Sequence, residues 1–484
     1  LDRAADRVAR ALLAAGLARG DRVAAYGRNS DGYFLLWLGC LRAGLVHVPA
    51  NYALTAAELG YILGQSGARA LFFQPALAAA AEAAATAQRV PLRGTLEEGA
   101  GALDALAAAL DPRQDAPEPP DAEVAETDLV QIIYTSGTTG APKGAMMTHR
   151  AYLAEYMGAA QALDYSREDR ALAALPLYHT AQLHCFTMPQ LLAGAETLLI
   201  DAPDPARVLA LIEAERITSF FAPPTVWISL LRHPDCAARD LSSLRHIYYG
   251  AAIMPVPVLQ ELRQRLPGAR PYNCYGQSEI APLATVLRPE DHAARPASVG
   301  RPIPTVETRI VDGEMQDVAP GERGEIIHRS PQLMTGYWGK PEETAEAFRG
   351  RWFHSGDVGT MDAEGFITIV DRVKDVINTG GVLVASREVE DAILTHPAVS
   401  ECAVIGLPDP RWIEVVTAVV VLRPGQDATE AALIEHAHAT LAPFKLPKRV
   451  IFADHLPRNT AGKLLKRQLR AEHGGRAEAL PGAA

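Results

Sequence analysis

Eleven consecutive residues, Tyr134-Thr135-Ser136-Gly137-Thr138-Thr139-Gly140-Ala141-Pro142-Lys143-Gly144, combine what a phosphate site needs. Glycines let backbone N–H groups converge on one anion, the hydroxyls of Thr135, Ser136, Thr138 and Thr139 add donors, and Lys143 adds positive charge. The run is not a Walker-type loop, because Pro142 precedes the lysine and Gly144 follows it. The competing reading, a polar turn without a ligand, accounts for a few of these residues but poorly for all of them.

Other segments offer complementary groups. Tyr272-Asn273-Cys274-Tyr275-Gly276-Gln277-Ser278-Glu279 sets an aromatic ring beside a hydroxyl and a carboxylate. Its Gly276-x-Ser278 stretch is not a hydrolase nucleophile elbow, since Ile280 stands where a second glycine is needed. Tyr249-Gly250-Ala251-Ala252 ends an apolar run in small residues against which a flat base can lie, or simply in a turn. In His354-Ser355-Gly356-Asp357 the carboxylate, taken alone, reads as a solvated turn. Asp371-Arg372-Val373-Lys374-Asp375, then Gly380-Gly381, and finally Pro457-Arg458-Asn459-Thr460-Ala461-Gly462-Lys463 place further charges toward the C-terminus. A lysine there is ordinarily a solvated charge. Lysine is scarce in this chain, however, occurring only at Lys143, Lys340, Lys374, Lys445, Lys448, Lys463 and Lys466, and three of these fall in the runs just named.

In this order the runs resemble the signature motifs of the adenylate-forming superfamily, which holds acyl-CoA synthetases, peptide-synthetase adenylation domains and beetle luciferases. The resemblance covers essentially the whole chain and implies roles. Thr135, Ser136, Gly137, Thr138, Thr139, Gly140 and Lys143 would bind ATP, together with Gly250, Ala251, Ala252, Asn273, Tyr275, Gly276, Ser278, Asp357, Arg372 and Lys463. Among them Tyr275 stacks on adenine, Ser278, in place of the usual threonine, faces the α-phosphate, and Asp357 with Arg372 takes the ribose. Glu279 holds Mg2+, and Lys463 reaches the substrate carboxylate and α-phosphate. Lys374 is the pivot between two domains, and Gly380 and Gly381 line the pantetheine tunnel. In Leu175-Pro176-Leu177-Tyr178-His179-Thr180, His179 lies between acyl pocket and thiol tunnel, with Tyr178 and Leu183 in the pocket. A histidine in an apolar run otherwise reads as a satisfied core residue. Lys463, Glu279, Thr138 and His179 form the implied catalytic set, and Trp412 and Phe444 are implied CoA contacts. The chain departs from the pattern at Val382-Leu383, where an acidic–amide pair is frequent, and at Ala385-Ser386, where Tyr-Pro is frequent.

The implied activity is an ATP-dependent acyl-CoA synthetase: carboxylic acid, ATP and CoA give acyl-CoA, AMP and pyrophosphate through an acyl-adenylate. From Ala171 to Ala195 there is neither a carboxylate for an amino acid's ammonium nor an arginine for a second carboxylate, which favours an uncharged fatty or aryl acid. Two alternatives stay open, an acyl-AMP ligase loading a carrier protein and a non-catalytic nucleotide-binding protein. The short span from Asp357 to Asp371 leaves little room for an insertion that hinders domain rotation, which favours the CoA ligase.

The elements that must position these residues alternate. A helix from Leu1, a strand Asp21–Tyr26, a helix around Tyr33 to Ala43 and a run Leu45–Pro49 imply a parallel, helix-covered sheet. Leu129–Tyr134 reads as a buried strand leading into the phosphate loop, and strands recur at Thr218–Phe221, His246–Tyr249 and Glu325–Ile327. Pro112–Glu126 is rich in proline and acid and reads as an exposed connector. A smaller module follows, with a helix N-capped by Ser386, strands Cys402–Gly406 and Val415–Leu422, and a helix around Ala431 to Leu441. The expected fold is α/β, a large N-terminal domain of mixed sheets covered by helices (1–370), a hinge (371–374), a small mobile α+β domain (375–470) and a frayed tail (471–484).

The 484 residues suit two or three folded units, and 48% hydrophobic with 21% charged residues excludes a disordered chain. The five cysteines are scattered without a Cys-x-x-Cys pair, which argues against a disulfide framework or zinc site and for a reducing cytoplasm. Ala171–Ala195 is uncharged but broken by Pro176 and Pro189, so it reads as buried wall rather than a membrane span. The chain starts without Met inside a helical pattern, so residues are expected to precede Leu1. A net charge of -11 speaks against nucleic acid, and a monomer or homodimer acting on small molecules is expected. Yet Lys445 to Arg470 carries eight basic residues and one acid, a local surplus that can attract phosphate groups.

Overall fold

The computed structural model describes residues 1–96, 122–135, 141–252, 254–372, 375–379, 382–409, 411–458 and 464–474. The helix Asp2–Ala14 buries Val8 and Leu12 against the helix Asp31–Ala43. The two cross closely, since a Cβ on Gly39 would come within 2.5 Å of Val8. Ser30 caps the second helix by accepting from Tyr33 N, and Gly44, at φ 66°, ends it.

These helices cover a six-stranded sheet. Its order is Leu92–Thr95, Ala70–Phe73, Arg22–Tyr26, Val46–Ala50, Leu129–Thr135 and Lys143–Thr148, all parallel except the last. Val46–Ala50 is buried throughout, as expected of a parallel strand covered on both faces. A seven-stranded sheet runs Arg301–Pro302, Thr285–Leu287, Arg270–Tyr275, His246–Gly250, Ser219–Phe221, Arg170–Ala173 and Glu196–Leu199, with the last five parallel. An antiparallel sheet is built from Glu307–Val311, Gly324–Arg329, Trp352–Met361, Phe348–Arg349 and Ile367–Arg372. From Ile377 onward a separate five-stranded sheet carries the helices Ser386–Leu394 and Glu430–His438 and a core of its own around Val389, Ile393, Val404, Val416 and Leu433.

The expected fold class is the one observed. Three local readings need correction. Ser386 is not an N-cap: Ala385 holds that position with extended backbone, and Ser386 is the first helical residue, fully buried with its polar atoms engaged elsewhere. The second small-domain helix ends at His438, so Leu441 packs into the core from beyond it. Residues 471–474, read as frayed, close the helix Lys466–Gly474, held by burial of Leu469. Of the connector Pro112–Glu126, only 122–126 is described, and Glu123 to Glu126 is exposed. The uncharged run Ala171–Ala195 is spent on a strand end, a π-helix Ala181–Thr187 and the helix Met188–Leu192. Among the described residues no helix is long and apolar enough to cross a membrane.

Candidate active site

Thr135, Tyr275 and Arg372 each end a strand. Leu129–Thr135 and Lys143–Thr148, the strands on either side of the phosphate-loop sequence, pair antiparallel with Thr135 opposite Lys143. Ser136, Gly137, Thr138, Thr139 and Gly140 lie outside the described residues, but both ends of the loop are fixed. Thr135 Oγ1 donates to Glu279 Oε1 at 3.1 Å, and Tyr337 OH donates to the same oxygen at 3.1 Å. Lys143 Nζ stands 5.2 Å from the centroid of the Tyr337 ring. Burial, and next the Glu279 carboxylate, push the Tyr337 hydroxyl's pKa upward, so it stays a neutral donor. One carboxylate ringed by hydroxyls is a hard-oxygen set that fits Mg2+ shared with phosphates. It is not a closed protein cage: among the described residues no group of three or more His, Cys, Asp or Glu side chains could hold a metal.

Beside it lies a second cluster. Asp357 Oδ2 accepts from Tyr275 OH at 2.8 Å and from Gln277 Nε2 at 2.9 Å, and Arg372 Nε approaches Asp357 Oδ1 at 3.2 Å. Asp357 and Arg372 face each other in register across adjacent strands, which explains the pairing of residues well apart in sequence. Burial and then the Asp357 charge raise the Tyr275 hydroxyl's pKa far above its usual value. Gln277 Oε1 is buried without a hydrogen-bond partner, so this cluster retains an unused acceptor.

Backbone crowding shapes the floor. A Cβ on Gly250 would sit 2.3 Å from Cys274 O, and one on Gly276 would sit 1.9 Å from Pro282 O. Ala251 holds a left-handed φ of 61°, at the end of the strand His246–Gly250. Gly276→Ala is therefore expected to displace the Tyr275–Glu279 segment. Overpacking of this kind costs about 1–3 kcal/mol, and a thermal melt should fall accordingly while nucleotide binding by calorimetry is lost. A melt and an affinity both unchanged would show that the approach is not limiting.

Ser278 Oγ and Thr180 Oγ1 share a hydrogen bond of 2.7 Å, which ties the Leu175–Thr180 segment to this loop. His179 Nδ1 accepts from Ala181 N at 3.3 Å, Tyr178 meets the Tyr52 ring edge-on at 5.9 Å, and Leu183 is buried in the core that also holds Val8 and Leu12. Asn29 fixes the segment from below, donating to Leu175 O and Ile200 O and accepting from Leu177 N. Asn273 donates to Ser298 O at 2.9 Å, and Ala252 is half-buried beyond Ala251.

Not all expected residues gather here. Trp412 and Phe444 lie in the small domain, each with a basic neighbour, Arg411 and Lys445, over its ring. Lys374, Gly380, Gly381 and Lys463 lie outside the described residues. Conversely, Tyr337, Gln277, Thr180 and Asn29 belong to the site and were not singled out as site residues. The one available signal was the Gly336-Tyr337-Trp338-Gly339 run, an aromatic pair between glycines with Gly336 at φ 143°.

Tyr275, Gln277 and Glu279 sit at and just beyond the carboxyl end of the parallel strand Arg270–Tyr275, where open α/β sheets take their ligands. The family model for AMP-binding enzymes matches residues 1–338, and that for the C-terminal domain of AMP-binding enzymes matches 388–463. A feruloyl-CoA synthase of an Amycolatopsis species is 40% identical over 98% of this chain and 93% of its own. A fatty acid–[acyl-carrier-protein] ligase of Streptomyces coeruleorubidus is 36% identical over 97% and 91%. The crystal structure of ATP-bound MatB from Rhodopseudomonas palustris superposes with a TM-score of 0.90 at 34% identity, covering 98% of this chain and 92% of that one. The chain belongs to the family of AMP-binding enzymes, the adenylate-forming superfamily. Within it the protein stands in the acyl-CoA synthetase branch, that of the AMP-forming acid–thiol ligases.

Proposed function

We propose that the protein is an ATP-dependent acyl-CoA synthetase that joins an uncharged fatty or aryl acid to CoA, releasing AMP and pyrophosphate. The observation that carries this reading is the adjacency of two clusters, Asp357 with Tyr275, Gln277 and Arg372 on one side and Glu279 with Thr135 and Tyr337 on the other. The first suits a ribose diol and the second suits phosphates. The relatives named as CoA ligases support CoA as the acceptor, and the proposed setting is cytoplasmic.

In the first half-reaction a carboxylate oxygen attacks the α-phosphorus and the bond to pyrophosphate breaks. Thr138, Ser278 and Lys463 stabilise the charge that builds on the phosphoryl oxygens. Glu279, with the Thr135 hydroxyl beside it, would hold Mg2+, which neutralises phosphate charge when bound. In the second half-reaction the CoA thiol loses its proton as its sulfur attacks the acyl carbon, and the bond to AMP breaks. The small domain, the part after residues 371–374, swings about Lys374 between the two, taking Lys463 away and opening the thiol path past His179. Gly380, Gly381, Trp412 and Phe444 would then meet CoA.

A panel of fatty and aryl acids with ATP and CoA, read by AMP formation, tests the proposal. AMP formed only in the presence of CoA supports it. Adenylate formed without CoA turnover, but discharged onto a phosphopantetheinylated carrier protein, assigns the acceptor seen in the Streptomyces relative's name instead. ATP binding without pyrophosphate exchange for any acid overturns the enzymatic reading.

A further inference from the structure

Ser386 opens the helix Ser386–Leu394. Ser386 is fully buried; its backbone N–H donates to Asp371 Oδ2 at 2.5 Å and its hydroxyl accepts from Lys466 Nζ at 2.5 Å. Lys466 also pairs with Glu390 Oε1 at 2.7 Å, and that oxygen accepts from Val404 N at 2.8 Å. Asp371 closes the network from the other side, in the strand Ile367–Arg372, where its Oδ1 accepts from Arg372 N at 2.7 Å. Burial raises the Asp371 carboxyl's pKa, and the Lys466 ammonium nearby pulls it back. A proline at position 386 would have neither an N–H nor a hydroxyl and could make neither bond.

Position along the chain decides what these bonds do. Asp371 precedes the proposed pivot, whereas Ser386, Glu390 and Lys466 follow it. The contacts among the last three travel with the small domain, but the Ser386–Asp371 bond spans the hinge and must break when the domain turns. We propose that Ser386, Asp371 and Lys466 form a latch across the hinge that holds the small domain in the orientation seen here and keeps Arg372 on Asp357. Ser386 is thus a positioning residue. The latch rests on the two-step reading above, because only an enzyme with two half-reactions would feel it as a change in their ratio. Since the latched strand carries Arg372, 3.2 Å from Asp357, loosening it falls on the nucleotide-using half.

Ser386→Pro is a mild test. Proline is tolerated at the first position of a helix, and Ala385, at ψ 119°, already has the extended backbone that precedes one. Acyl-adenylate formation and thioester formation from supplied acyl-adenylate are measured separately. The ratio of the first rate to the second is expected to fall about tenfold in Ser386→Pro, the factor expected from losing one hydrogen bond to a charged group. Asp371→Asn should move it the same way. A ratio unchanged or raised in both variants overturns the latch. If the wild-type protein forms no adenylate with any acid, the functional reading fails on its own, and hydrogen exchange decides the latch. Faster exchange in Ser386→Pro over both 367–372 and 386–394 supports it, and unchanged exchange overturns it.

Discussion

Asp357→Ala is expected to lower kcat/KM for ATP by about two to four orders of magnitude, with most of the loss in ATP affinity. The carboxylate is 4% exposed and is the point on which Tyr275, Gln277 and Arg372 converge. Removing it forfeits the bonds a ribose diol would make. At about 1.5–3 kcal/mol for each hydrogen bond to a charged group, and one decade of rate or affinity per 1.4 kcal/mol, two lost bonds account for that range. It also leaves the Arg372 guanidinium without its partner beside the nucleotide, and frees the Tyr275 ring from the bond that fixes its tilt. Asp357→Asn keeps one acceptor oxygen and the shape of the side chain, so it should lose roughly a tenth to a hundredth as much as the alanine variant. Pyrophosphate exchange measured across ATP concentrations separates the two parameters. An ATP KM within twofold of wild type in Asp357→Ala would remove Asp357 from the nucleotide site.

The motif residues were legible because their chemistry is local: a hydroxyl-rich glycine loop after a buried strand, or a carboxylate in a turn, shows in the sequence by itself. Their partners were not, because contact depends on which strands become neighbours. Gln277 reads as a filler between Gly276 and Ser278 until strand pairing brings Asp357, 80 positions away, against its amide. Tyr337 reaches Glu279 only because the backbone of Gly336 and Trp338 bonds to Met146 and Gly144 at the edge of the first sheet. The satisfied core histidine of the apolar run is His184, a turn beyond His179 in the chain. It is fully buried between Gln131 and Tyr156, with a pKa that burial drives far down. The fold itself was readable from alternation, whereas helix ends were not. Serine before an amphipathic run ordinarily signals a cap, but at Ser386 the buried bonds to Asp371 and Lys466 outweigh that preference and draw the residue one step into the helix.

Lys463→Ala is expected to reduce acyl-adenylate formation by about two to three orders of magnitude, the usual cost of removing one preorganised donor from a developing anion. Thioester formation from supplied acyl-adenylate should stay within about twofold of wild type if the lysine leaves the site before the thiol arrives. The described residues on either side of Lys463 are held within the small domain. Arg458 and Leu464 bridge each other antiparallel, Leu465 N donates to Pro457 O at 2.8 Å, and Arg458 pairs with Glu401. Three residues after Lys463, Lys466 is anchored on Glu390 and Ser386. The described residues that flank Lys463 are therefore tied to the small domain, and on the proposed mechanism the lysine would travel with that domain. The basic surplus from Lys445 to Arg470 adds an attraction for phosphates that a single substitution hardly changes, so loss of binding alone would not produce so large an effect. The decisive measurement is the ratio of the two half-reactions in one preparation. Equal losses in both would mean that Lys463 supports the fold of the small domain or the binding of both substrates, and that the charge on the α-phosphate is met by the other proposed donors, Thr138 and Ser278, alone.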